Sequence, residues 1–195
     1  MSEVDFIYQT VKDKGNPREL EQDGPIYCES DEAWLGNGYY FWHGHIQLGH
    51  WWGQSRLKVA YMIFMGHCNI RPKCLDLHDN PTHRDYFIDA MIEMKKLNEL
   101  TKKYHPEFNE EVLVSKVVQF IRKRHLFNFE AIKAYGIGSM NPSHPKAIRI
   151  NVESKKGKYV DLIPAVQICL FEKNSLGLHN YKIVYPSTYI EPQVF

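Results

Sequence analysis

The chain has 195 residues, a formal net charge of +1 and a hydrophobic content of 44%, enough for one folded domain with a substantial core. This balanced charge excludes a global electrostatic attraction to nucleic acid or to a membrane, so any such attraction must be local. The acidic start of the chain has no apolar run behind it, and no stretch reaches the roughly 18 apolar residues of a membrane-spanning helix, so we expect a cytoplasmic protein without a signal peptide.

Strands dominate the predicted elements of the first eighty residues. The pattern predicts, in order, a strand at 5–11, a loop at 12–25, a short strand at 25–29, a glycine turn with an aromatic run at 35–42, a helix at 45–54, a strand at 58–68 and a short strand at 74–77. In the helix we expect Trp51 to face inward and Leu48 and Trp52 to lie on the flanks.

Two helices are predicted in the middle of the chain, and strands return after them. Apolar residues recur every three to four positions at 82–103, and a second amphipathic helix is predicted at 112–126 with Asn109 as its N-cap. Strands follow at 129–134, 147–152, 166–171 and 182–185, with loops at 136–146 and 154–158. This order predicts an α+β fold with mostly antiparallel pairing, built as a single domain over 1–195 with a helical insertion at about 82–126.

The most informative motif lies at residues 35–41, Leu-Gly-Asn-Gly-Tyr-Tyr-Phe, with Trp51 eleven residues after Tyr40. Glycine has no Cβ, so Gly36 and Gly38 allow a sharp turn and a close approach of the backbone to a ligand. The aromatic residues that follow supply flat faces beside that turn. This combination suits a flat, phosphate-bearing ligand, while the alternative interpretation is an ordinary buried strand.

This stretch resembles the Gly-x-Gly-x-Tyr-Phe motif of the ADP-ribosyltransferase superfamily, which binds NAD. The closer match is to the branch with a first-strand His, a central Tyr and a late-strand Glu, which includes bacterial toxins and the catalytic domain of poly(ADP-ribose) polymerases. In this resemblance Tyr40 falls on the tyrosine that stacks on nicotinamide. Trp51 falls on a second aromatic residue, so that the nicotinamide would lie between two rings.

The two outer positions of the resemblance carry glutamine. Gln167, at the start of the apolar run 166–171, falls on the late glutamate, where it can bond a ribose hydroxyl but supplies no charge. Gln9 falls on the first-strand histidine, and the nicotinamide amide would lie against the backbone near Thr10. The resemblance thus implies Tyr40 and Gln167 as catalytic residues, and as NAD-binding residues Gln9, Thr10, Gly38, Tyr40 and Trp51.

Other residues could take over the two altered roles. Arg18 or His43 could replace Gln9 from a loop. A carboxylate in place of the missing glutamate could come from Glu130, Glu153 or Glu172.

The resemblance implies a split, mostly antiparallel β-core around a cleft, with helices beside it. The implied activity is transfer of ADP-ribose from NAD to a macromolecular acceptor, as in an intracellular bacterial toxin or anti-phage effector that pairs with an antitoxin. The alternative, favoured by glutamine at both outer positions, is a module that binds NAD or ADP-ribose without turnover.

Two further clusters bear on ligands. His43 and His45 would share one face of a strand, but no nearby carboxylate or cysteine completes a familiar metal site, and we expect no metal. A basic cluster at Lys116, 122–124 and Lys133 is either a solvated face or a ridge that contacts phosphates, and it slightly favours RNA or DNA over protein as the acceptor.

Overall fold

The computed structural model describes residues 4–30, 33–124, 127–136, 148–152 and 159–190. Within them the protein is an α+β structure, a seven-stranded and mostly antiparallel sheet with flanking helices, which confirms the predicted class. The strands are β1 Asp5–Lys12, β2 Tyr39–His43, β3 Tyr61–Cys68, β4 Cys74–Asp76, β5 Ala131–Tyr135, β6 Arg149–Asn151, β7 Tyr159–Asp161, β8 Val166–Leu170 and β9 His179–Tyr185.

The order of strands in the sheet is β4-β5-β8-β2-β1-β3-β9, while β6 and β7 form a separate antiparallel hairpin. Among the described strands of the sheet, β4 and β5 run parallel and every other neighbouring pair is antiparallel. The first strand, the aromatic strand and the late strand (β1, β2 and β8) therefore lie side by side, although β8 is more than 120 residues from β2 in the chain.

Four α-helices are described: α1 Pro17–Asp23, α2 Ile46–Trp52, α3 Pro81–Tyr104 and α4 Val114–Arg122. A π-helical turn at Gly53–Leu57 continues α2. Proline begins both α1 and α3, where its missing N–H costs nothing, and the side chain of Asn80 caps α3 by accepting a hydrogen bond from the backbone N–H of His83. None of the helices described here is long and apolar enough to cross a membrane.

Helix α3 agrees with the prediction to within one residue at each end, and its apolar spacing is sustained from Phe87 to Leu100, about four turns. Three expectations are wrong. The loop predicted at 12–25 contains α1, which the Pro17 start signal could have revealed, and the segment 25–29 forms only a single bridge, from Cys28 to Gly38. The N-cap of α4 is Leu113, not Asn109.

Leu48, expected on the flank of its helix, is instead fully buried, and the helix predicted at 112–126 is the shorter α4. Strand β7 has only three residues and was not predicted. The loop predicted at 154–158 lies outside the described residues, as does nearly all of the one at 136–146.

The sheet buries apolar side chains on both faces. One face carries a core that includes Phe41, Phe64 and Ile168, and the other packs under α3 and α4, where Val118 and Ile132 are fully buried. Each such side chain contributes about 1.5–3 kcal/mol through burial. The predicted helical insertion therefore forms one layer of the core.

Candidate functional site

The site begins where β1 and β2 separate. Their ladder contains only two residue pairs, Ile7 with His43 and Tyr8 with Trp42. Beyond Tyr8, β1 continues to Lys12 paired with β3 alone, while the first half of β2 pairs with β8 alone. The sheet thus opens between its two central strands.

A cavity of about 560 Å³ occupies this opening. Its size lies within the range of about 300–1,000 Å³ typical of small-molecule sites. Four residues singled out from the sequence line it together: Gln9, Thr10, Tyr40 and Gln167. They come from three adjacent strands, so the sheet order brings them into one place.

Trp51 lies elsewhere. It is 7% exposed and packs edge-to-face on Trp42, with ring centroids 5.7 Å apart, in a small core that includes Leu48. The next residue, Trp52, lines the cavity instead. One residue along a helix is a rotation of about 100°, so when Leu48 and Trp51 face the sheet, Trp52 is directed to the cavity.

Gly38 supports the wall of the cavity and is not among its lining residues. A Cβ at Gly38 would lie 2.3 Å from the carbonyl oxygen of Leu170 and 2.6 Å from Sγ of Cys169. The close approach that this glycine permits is therefore to β8. Gly36, in the turn before β2, has a φ of +91°, a backbone conformation that favours glycine.

Tyr40 presents a fixed ring to the cavity. Its hydroxyl donates to the carbonyl of Gly36 at 2.8 Å and accepts from the N–H of Leu35 at 2.8 Å. Burial raises the pKa of Tyr40 well above its ordinary value, so the phenol stays neutral. With its hydroxyl occupied, the residue can offer a ligand its aromatic face.

Gln167 is held in one orientation by a neighbouring indole. Its Oε1 accepts a hydrogen bond of 2.7 Å from Nε1 of Trp34, and the residue is 5% exposed. Because an indole N–H can only donate, this bond assigns the amide oxygen. The Nε2 group of Gln167 is left to donate, so the residue offers the cavity a hydrogen-bond donor.

The amide of Gln9 is fully occupied by the protein. Oε1 accepts from the N–H of Ile26 at 2.8 Å and from the hydroxyl of Tyr181 at 2.9 Å. Nε2 donates to the carbonyls of Ile26 at 3.0 Å and Tyr40 at 3.3 Å. Four hydrogen bonds are the full capacity of a glutamine amide, so none is left for a ligand. Through these bonds Gln9 links β1 to β2 and to Ile26, just beyond the end of the β1–β2 ladder.

Thr10 contributes its backbone to the cavity. Its side chain donates to the carbonyl of Gly49 at 3.0 Å and fastens α2 to β1. In a strand, the backbone N–H and C=O groups of successive residues point alternately to the two neighbouring strands. The N–H of Gly44 donates to the carbonyl of Phe6, so the backbone groups of Phe6 point towards β2. Thr10 lies four residues further along β1, and its backbone groups therefore point the same way. Thr10 has no partner in β2, so its N–H and C=O face the opening.

Several lining residues were not identified from the sequence. They are Trp34 and Trp52, two cations, Lys12 and Lys14, and one acid, Glu29. The pair Lys-x-Lys at the end of β1 was a usable signal, because a loop that leaves a central strand often borders a site. Trp34 and Glu29 carried no such signal, since their positions at the cavity depend on tertiary contacts of Ile26, Cys28 and Trp34.

Those alternative residues that the structure describes do not line this cavity. His43 bonds the carboxylate of Asp5 at 3.2 Å, and burial lowers its pKa. Glu130 pairs with Lys73 at 2.6 Å, which lowers the pKa of its carboxyl. Arg18 and Glu172 are exposed outside the lining, and Glu153 lies outside the described residues. No group of three or more metal-ligating side chains occurs in the described part of the chain.

The basic cluster is largely engaged by other side chains. Lys133 is 4% exposed and bonds Asp76 at 3.1 Å and Asp79 at 2.5 Å. The other ion pairs and cation–π contact are Arg124 with Glu93, Lys116 with Glu110 and Arg122 over the ring of Phe171. Lys133 is therefore too buried to contact a phosphate, whereas Arg122 and Lys123 are exposed, so a phosphate-contacting ridge at 122–124 stays a prediction.

Comparison of the chain with protein-family models, with curated proteins and with solved structures gave no match.

Proposed function

We propose that the protein is an ADP-ribosyltransferase that uses NAD as its substrate and transfers ADP-ribose to a macromolecular acceptor. The observation that carries this proposal is the meeting of Thr10, Tyr40 and Gln167 at one cavity. These residues come from the first, aromatic and late strands, which is the order that the motif resemblance requires.

The nicotinamide end of NAD would bind at Thr10 and Tyr40. The carboxamide of nicotinamide has a donor and an acceptor, which match the C=O and N–H that Thr10 directs into the opening. The ring would stack on Tyr40, a contact worth about 0.5–1.5 kcal/mol beyond burial. Trp52 is the further aromatic residue at the cavity, in place of Trp51.

The remainder of NAD has polar partners in the same lining. Lys12 and Lys14 supply positive charge for the pyrophosphate. Nε2 of Gln167 would donate to a ribose hydroxyl oxygen. Holding both ends of NAD orients the glycosidic bond for cleavage, so catalysis would come from positioning and electrostatic stabilisation.

A second candidate function, a module that binds NAD or ADP-ribose without turnover, is favoured by the glutamine amides. Gln9 is saturated by the protein and Gln167 is neutral, so neither supplies charge to a transition state. The fold and the cavity are the same in both cases. The two functions differ in whether nicotinamide is released.

The test measures NAD binding by calorimetry and nicotinamide release in parallel, with and without cell extract. Transferase activity predicts both signals, and Tyr40→Ala should weaken them while Tyr104→Ala, an exposed residue at the end of α3, leaves them unchanged. Binding without release identifies the module. The absence of NAD binding by the wild-type protein overturns both functions.

The acceptor class is read out with labelled NAD. Extract labelled by the protein is divided and treated with protease or with nuclease, and the treatment that removes the label names the acceptor. Nucleic acid stays slightly favoured as the acceptor in this proposal, through the basic residues at 122–124. A role as a toxin or anti-phage effector with an antitoxin is part of this proposal and rests on the resemblance only.

A further inference from the structure

Cleavage of NAD needs negative charge beside the reacting ribose. As the bond between C1′ and the nicotinamide nitrogen breaks, its electron pair neutralises the pyridinium ring, and positive charge develops on C1′ and the ring oxygen. Gln167 cannot oppose that charge, because its amide is neutral and its oxygen is bonded to Trp34. A carboxylate that reaches the ribose from another segment would supply the negative charge that Gln167 lacks.

Among the described lining residues of the cavity, Glu29 is the acidic one. The residue before it, Cys28, exchanges two backbone hydrogen bonds with Gly38, at 2.8 and 3.1 Å, and Gln9 holds Ile26 on the same segment. The backbone that carries Glu29 is therefore anchored to both sides of the opening. Its side chain is exposed, as expected for a group at the cavity mouth.

The chain then leads from Glu29 to the late strand. The N–H of Ala33 donates to the carbonyl of Ser30, and Trp34 bonds Gln167. Lys12, the last residue of β1, and Lys14, two residues beyond it, belong to a different segment of the lining. Negative and positive charges thus arrive on different segments, as required for a cationic ribose and an anionic pyrophosphate.

We propose that Glu29 is the catalytic carboxylate that stabilises the developing ribose cation, an inference that rests on the proposed transferase function. The nicotinamide leaves with the electron pair of the broken bond. The acceptor nucleophile, or water in the hydrolytic side reaction, forms a bond to C1′ and releases its proton to the solvent. Glu29 is not consumed, and no further co-reactant is needed.

The experiment compares Glu29→Gln, Glu29→Asp and wild type for NAD binding and for nicotinamide release with water as the acceptor. Glu29→Gln keeps the shape and removes the charge, so kcat should fall by about 10²-fold or more while Kd changes by less than about threefold. Glu29→Asp retains the charge and should recover part of kcat. Glu172→Gln, an exposed residue outside the lining, is the matched control and should behave as wild type.

The outcomes separate this inference from the function on which it rests. Wild-type turnover with unchanged kcat in Glu29→Gln overturns the role of Glu29 and leaves the transferase standing. A change in Kd with unchanged kcat makes Glu29 a binding residue and also overturns the inference. Wild-type NAD binding without nicotinamide release, both in water and with cell extract present, overturns the transferase and the catalytic role together.

Discussion

Replacing Gln9 with leucine should destabilise the protein strongly, because one buried amide joins three parts of the fold. Gln9 is 5% exposed and bonds Ile26 twice, Tyr40 once and Tyr181 once. Leucine keeps the approximate volume but leaves these partners unsatisfied, at about 1–3 kcal/mol for each group that stays buried. Ile26 is 44% exposed and can turn to water, so we expect a total loss of about 2–4 kcal/mol.

The measurement is urea unfolding followed by tryptophan fluorescence, with the free energy of unfolding taken by linear extrapolation. The matched variant Tyr181→Phe removes one of the four bonds and should cost about 1 kcal/mol. The double variant should lose less than the sum of the two, because both changes delete the same bond. A loss below about 0.5 kcal/mol in Gln9→Leu would show that the amide does not hold the opening together.

Three further predictions follow from particular contacts. Trp51→Ala should cost about 3–5 kcal/mol of stability in urea unfolding, because Trp51 is buried. Trp52→Ala should cost less stability but weaken NAD binding in calorimetry, because Trp52 lines the cavity. If the two variants lost the same stability and the same NAD affinity, the placement of the two rings would be wrong. Because the folded protein holds the pKa of His43 below its unfolded value, the unfolded state binds more protons, so stability should fall as the pH drops through about 6.5. A single histidine can change the free energy of unfolding by at most about 1.4 kcal/mol per pH unit. In His43→Gln the difference in stability between pH 7.5 and pH 5.5, measured from unfolding curves, should be smaller than in the wild type. Gly38→Ala places a Cβ against Leu170 and should cost about 1–3 kcal/mol in the same assay, and an unchanged midpoint would disprove the close approach.

Elements with a long regular pattern could be predicted from the sequence. Helix α3 and strands β1 and β3 follow local periodicity, and a local pattern suffices because the hydrophobic face must be buried wherever the element packs. Elements of three to seven residues were less accessible. Helix α1 buries none of its residues completely, and β7 is too short to show an alternation.

The candidate site was predictable in part, and the reasons differ by residue. Tyr40 carried a local signal in its glycine motif, and that signal correctly marked a turn beside a cavity. The side-chain partners carried none, since Gln9 bonds a tyrosine 172 positions away and Trp34 bonds an amide 133 positions away. The orientation of the Gln167 amide, and hence its role as a donor, follows only from that distant contact.

The amino-acid order by itself determined the class of fold, the central strands and the aromatic turn, because these depend on interactions between residues close in the chain. The tertiary structure decided where β1 and β2 separate, which of two adjacent tryptophans faces the opening, and which carboxylate lies beside it. These features depend on how strands far apart in the chain align and how a helix rotates on them. A rotation of about 100° exchanges Trp51 for Trp52, and nothing local in the sequence distinguishes the two.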